Sequence, residues 1–271
     1  RSSDLFVSVF FVSVALPVGT IVYWTVQGAD TADAGGSPDL AKYFDQTDGQ
    51  VWEAPTTFQK VREALLASLK CSLPAAVFAT ALAVPVAMLR ARFPSRASFL
   101  LERLPYLGYA TPSIAFALSL ILLCLWGMPG PLQPVGTWLY QSLPLLLYAY
   151  VLHFLPEAVG PIRSSFYHAS PRVEEASRSL GRGRFTTFWR VTLPALRHGL
   201  IVATALVFLS CMKELPLTTL LAPTDTDTLA MEVWFYSEES MYERVAPYAM
   251  AILVFSSAFV GVLLLQGRES K

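Results

Sequence analysis

Few side chains in this sequence are spaced for covalent chemistry. None of its five lysines follows a glycine, so the Gly-Lys-Ser/Thr cradle for nucleotide phosphates is absent. His153, His168 and His198 stand far apart and form no triad with a nearby serine or cysteine; His153, inside an apolar run, reads as a core histidine. Cys71, Cys124 and Cys211 lie in apolar runs without metal-ligand spacing, which argues against a zinc site and a disulfide framework. The expectation is no catalytic residue, no resident metal and no cofactor. Ionic chemistry is the remaining candidate. Lys213 and Glu214 interrupt an apolar stretch after only fourteen uncharged residues, and charges at that depth face a cavity or one another. Neighbours in sequence point in different directions on a helix, and Pro216 frees the carbonyl of Met212. Two readings stand: Lys213, Glu214 and Pro216 line or gate a path, or the helix emerges into water there. Glu214, Asp225, Asp227 and Glu232 offer oxygen ligands suited to a hard cation, or else belong to a solvated loop.

The elements that position these groups are membrane helices. Of 271 residues, 54% are hydrophobic and 15% charged, with mean hydropathy +0.48; soluble domains carry roughly 25% charged residues. Six spans are expected: 5–26, 71–89, 104–126, 138–156, one starting near Gly199, and 245–265, with Gly127 to Pro131 turning the chain between the third and fourth. The connecting loops alternate in charge. Residues 27–64 carry seven acids and three bases, 157–198 seven arginines against Glu157, Glu174 and Glu175, and 213–244 seven acids and two bases. Lysine and arginine mark the cytoplasmic side, so both termini and the loops 90–103 and 157–198 are expected in the cytoplasm.

The most organised of these loops runs from Pro171 to Pro194. Ser170 followed by Pro171 reads as a helix start, with Glu174 and Glu175 near the positive end of the dipole. Gly181 ends the helix by entering the left-handed conformation, giving a rod of about ten residues, roughly 15 Å long. Val173, Ala176, Ser177 and Leu180 share one narrow face of small or aliphatic side chains. Such a helix between two spans reads as a plug for a socket on another protein, against the alternative of a basic helix lying on lipid.

Glu175-Ala176-Ser177, Gly181 after three residues, and Val191-x-Leu193-Pro194 after nine more resemble the "EAA loop" of binding-protein-dependent ABC importer permeases. Ser177 for alanine and Val191 for isoleucine are the departures. The resemblance implies an all-α, polytopic, MetI-like fold of about six spans with a cytoplasmic coupling helix. Residues 1–64 would hold the first span and an acidic periplasmic loop, and residues 65–271 the permease core. Coupling to the ATPase would fall to Val173, Glu174, Glu175, Ala176, Ser177, Leu180, Gly181, Leu193 and Pro194. The implied partners are ATP-binding cassette subunits, a periplasmic solute-binding protein, a second permease half and the lipid bilayer, with no nucleic acid. The implied location is the bacterial inner membrane. Lys213-Glu214-Leu215-Pro216-Leu217-Thr218, followed by Asp227-Thr228-Leu229-Ala230 and Trp234, is similar to iron(III) permeases. Those often fuse two halves, which would account for a start at Arg1. Ferric iron is therefore the expected cargo, with thiamine, phosphonate, molybdate and polyamine permeases sharing the architecture. An ion-gradient transporter is the rival class; it would need more buried ionisable groups and a visible internal repeat.

Overall fold

The computed structural model describes residues 14–31 and 57–268. No strand occurs among them. The helices are α1 (Leu16–Thr31), α2 (Thr57–Arg92), α3 (Arg96–Ala110), α4 (Ser113–Leu122), α5 (Gln133–Leu139), α6 (Leu143–His168), α7 (Pro171–Ser179), α8 (Arg184–Thr187), α9 (Leu193–Ala195), α10 (Arg197–Lys213), α11 (Pro216–Leu221), α12 (Leu229–Glu238) and α13 (Tyr242–Arg268). Among the described residues three helices are long and apolar enough to cross a membrane: Phe58–Arg92, Leu143–His168 and Tyr242–Gly261. Two bent pairs raise the number to five. Residues 5–13 of the expected first span, 5–26, and 32–56 of the acidic loop after it lie outside the described residues; the rest of that span falls largely in α1, which continues to Thr31.

The boundaries differ from the sequence expectation in instructive ways. The second span is 36 residues long rather than nineteen, and takes in Lys60, Arg62 and Glu63 from the expected loop. The loop expected at 90–103 shrinks to residues 93–95, because α3 begins at Arg96 under a capping box between Ser95 and Ser98. The third span is broken: Arg96–Ala110 and Ser113–Gly127 meet at 100°, so both cannot run along the membrane normal. Pro112 supplies the break, having no N–H to donate. The fourth helix begins at Leu143 and runs through Pro156 and Pro161 to His168. Glu157 and Arg163 are therefore helical and not part of a cytoplasmic loop. Prolines are tolerated in such helices because neighbours satisfy the backbone they free.

The chain forms two compact units. In the first, from segments 1–68 and 226–256, the Ser68 hydroxyl accepts the Leu229 N–H at 2.9 Å. Tyr236 stacks on Tyr248, and Trp24 meets Tyr242. The second, from 69–225 and 257–271, is centred on α6 packed against α10. Gly199 permits that approach: a Cβ there would strike the Ser165 hydroxyl and lie 2.9 Å from the Pro161 carbonyl. Ala203, Val207, Ala158 and Ile162 are fully buried in the same unit, which follows the small-residue logic of membrane helix pairs. Thr80 and Thr204 share a hydroxyl hydrogen bond of 3.0 Å between α2 and α10.

Candidate functional site

α7 is a nine-residue helix with two unlike sides. Ser170 is its N-cap residue, but the hydroxyl caps nothing. The first turn closes instead through the Ser170 carbonyl, which accepts from Val173 N at 3.3 Å. The other end follows the sequence reading: Gly181 has φ +79°, Gly181 N donates to Arg178 O at 2.9 Å and Arg182 N to Ser177 O at 3.3 Å. These two bonds are the Schellman pair that satisfies terminal carbonyls.

One side of α7 is tied to its own chain. The Arg92 guanidinium, from the last turn of α2, donates through one Nη2 to Glu174 Oε1 and to the Ala169 carbonyl, each at 2.9 Å. It also lies 5.7 Å over the Phe166 ring. Arg178 adds a looser contact to Glu174 at 3.7 Å. Ser177 and Thr187 hydroxyls meet at 3.1 Å, both buried, and join α7 to α8. Ser177 is therefore not on the free face expected for it; it belongs with Glu174 on the anchored side.

The opposite side is bare. Val173, Ala176 and Leu180 are exposed, Leu180 by 81%, and Glu175 is exposed beside them. Phe185 and Trp189 are exposed as well and pack edge to face at 6.0 Å. Sequence reading missed both aromatics; their spacing, i and i+4 just beyond the glycine, was the available signal. Leu193 and Pro194 stand between a widened turn and a bend. Pro194 cannot donate to the Arg190 carbonyl, and the preceding turn, Phe188–Thr192, widens to a π-helix. At Leu196 the chain turns by 69° into α10.

The break expected at Lys213 is present. α10 ends at Lys213, which is exposed, Glu214 is extended (φ −74°, ψ 123°), and Pro216 opens α11. The Glu214 carboxylate accepts from Leu217 N at 3.3 Å, while its carbonyl accepts from the Thr218 hydroxyl at 2.6 Å. Thr218 is bonded in turn to the Tyr150 hydroxyl on α6. Glu214 thus serves the start of α11 and does not pair with Lys213.

A second polar group is hidden from the sequence, where Glu157 reads as a loop residue beside an apolar run. In α6 it accepts from Ser210 Oγ at 2.7 Å and from the Tyr109 hydroxyl at 3.1 Å. One turn earlier His153 is buried among Tyr109, Phe116 and Phe154, with Nδ1 unpartnered. Among the described residues no three of histidine, cysteine, aspartate and glutamate come together to hold a metal ion; Glu214 and Asp225 stand in the second unit, Asp227 and Glu232 in the first.

The family described as binding-protein-dependent transport system inner membrane component matches residues 79–268. The chain belongs to it. The match contains the anchored helix α7, the exposed face and the break at Lys213. One relative is the Fe(3+)-transport system permease protein FbpB 2 of Haemophilus influenzae, 31% identical over 95% of this chain and 45% of its own length. This chain spans less than half of that protein. The molybdenum transport system permease protein ModB of Azotobacter vinelandii is 27% identical over 70% of this chain and 89% of its own. The fold is that of a bacterial ABC transporter involved in import of the acidic polysaccharide alginate, with TM-score 0.58 over 99% of this chain and 97% of that one at 16% identity.

Proposed function

We propose that this chain is one permease half of an ATP-driven importer, and that α7 is the element a separate ATP-binding subunit grips. The observation that carries this is the division of α7: Glu174 and Ser177 anchor it while Val173, Ala176 and Leu180 stand exposed. A helix held firmly on one side moves with the helices it is tied to, here α2 through Arg92. In this reading a periplasmic protein delivers solute, a second half completes the path, and the ATPase lies on the side of the arginine-rich segment.

We further propose a ferric ion as cargo. The Haemophilus relative carries that name; in addition, Glu157 and Glu214 both stand in the apolar second unit without a basic partner among the described residues. Carboxylates there favour a cation and oppose an oxyanion such as molybdate. Two measurements test the proposal. Cysteines at positions 173 and 180 are expected to cross-link to the ATP-binding subunit, and labelling of both only from outside the cell overturns the coupling claim. Reconstituted transporter is expected to accumulate ferric iron with ATP and to lose that uptake in Glu157→Gln. ATP-driven molybdate uptake without iron uptake overturns the cargo claim alone.

A further inference from the structure

The strongest unassigned feature is a basic hollow on α3, in the second unit and separate from both sites above. Arg96, Leu100, Arg103 and Leu107 recur at four- and three-residue intervals and share one face of α3. Arg90 from the end of α2 and Arg163 from α6 close around it, forming a pocket of about 450 Å³ next to one of about 670 Å³. The charges do not balance. Glu102 is buried and already engaged by Arg90 Nε at 3.0 Å and by Arg163. Arg103 lies 3.9 Å over the Phe99 ring, and Arg90 lies 5.5 Å from the same ring. Among the described residues no carboxylate pairs with Arg96 or Arg103. Arg90, Arg103 and Arg163 thus line the hollow with one carboxylate that is already used, and Arg96 lines the adjoining hollow beside Arg90 and Phe99.

We propose that this hollow binds the phosphate headgroup of an anionic phospholipid. Guanidinium forks match phosphate oxygens in pairs, and Phe99 holds two of the forks in place. The lining also separates a lipid from a free phosphate. Leu100, Leu104 and Leu107 are exposed by 62%, 56% and 67% on the same helix. They offer an acyl chain an apolar surface beside the arginines, which an inorganic ion cannot use. Arg96 and Arg103 are about 10 Å apart along the axis, a span that fits the layer between headgroups and hydrocarbon. The basic composition of the segment places it on the leaflet where anionic lipids attract arginines. The headgroup would bear on Arg90 and Arg163, and so on the Glu102 bridge that joins α2, α3 and α6. The proposal goes beyond the transport reading and does not depend on the cargo.

The test uses the purified transporter with its partner subunits, titrated with phosphatidylglycerol, phosphatidylcholine or inorganic phosphate and read by native mass spectrometry and by thermal midpoint. Phosphatidylglycerol is expected to be retained and to raise the midpoint, and phosphatidylcholine to do neither. The double variant Arg96→Gln, Arg103→Gln, which leaves the Glu102 bridge intact, is expected to weaken phosphatidylglycerol binding roughly thirtyfold, the combined effect of two interfacial arginines. Leu100→Asn with Leu107→Asn is expected to weaken it while leaving the arginines in place. Unchanged retention in both double variants overturns the proposal. So does inorganic phosphate displacing the lipid at equal concentration, or a cysteine at 107 cross-linking to a protein subunit.

Discussion

Removing the carboxylate of Glu174 should release α7 from its anchor, and the structure sets the scale. Glu174 is 7% exposed, and the Arg92 side chain it meets at 2.9 Å is 12% exposed. With Glu174→Ala the guanidinium keeps only the Ala169 carbonyl and the Phe166 ring, and its Nε already lacks a partner. Breaking a buried pair from one side costs about 3–5 kcal/mol; a value of about 3 is reasonable here because Arg92 can turn partly into solvent. The contact of exposed Arg178 with Glu174 adds only about 0–1 kcal/mol. A loss of about 3 kcal/mol shifts the balance between anchored and loose α7 by roughly 150-fold. The assay is a double-mutant cycle with Glu174→Ala and Arg92→Ala, read as thermal stability and as ATP-driven uptake by the reconstituted transporter. Each single variant should lose most uptake while membrane insertion survives. Because Arg92→Ala removes the charge that Glu174→Ala strands, the double variant should cost much less than the two singles added together. Additive costs would refute the anchoring argument, whatever uptake does.

Two further outcomes follow from packing and protonation. Gly199→Ala should lower the thermal midpoint, because the new methyl overlaps Ser165 and Pro161 and overpacking costs about 1–3 kcal/mol; Gly160→Ala, where nothing stands within 4 Å, should not. Equal midpoints would remove the close-approach argument. In the first unit, burial and then the charge of Asp227 push the Glu232 carboxyl above its ordinary value, with Lys60 opposing. The folded state then holds a proton that the unfolded state gives up, so stability should fall as pH rises from the ordinary carboxylate value through the raised one. Glu232→Gln should flatten that decline, measured as midpoint against pH.

What was legible in the sequence was whatever local spacing encodes. Pro171, the Gly181 stop and the Pro216 break each act within one turn, and each stands where residue type put it. What was not legible depends on partners distant in the chain. Glu157 and Arg163 look like loop residues because a charge beside an apolar run usually marks the end of a span. They are helical because Ser210 and Tyr109 satisfy the first and Glu102 the second, over separations of 48 to 61 residues. The broken third span has the same origin: hydropathy sums over Ala110 to Ser113 without registering the 100° turn.

The facing of α7 is the case where a small angular error matters most. Taking about 100° per residue, Val173, Ala176, Ser177 and Leu180 fall within roughly 100° of arc, so composition alone groups them. The hydroxyl of Ser177 decides otherwise, because Thr187 lies on that flank and Glu174 sits only about 60° further round. A nine-residue helix cannot bury apolar residues on both sides and still offer a surface to a partner. Here the inward anchors are polar groups, whose bonds fix direction as well as distance, and the aliphatic residues are left outward. If that division is what couples the helix, Ser177→Ala should loosen α7 with no change to the exposed face, whereas Leu180→Ser should spare its anchoring and weaken only its grip on the ATP-binding subunit.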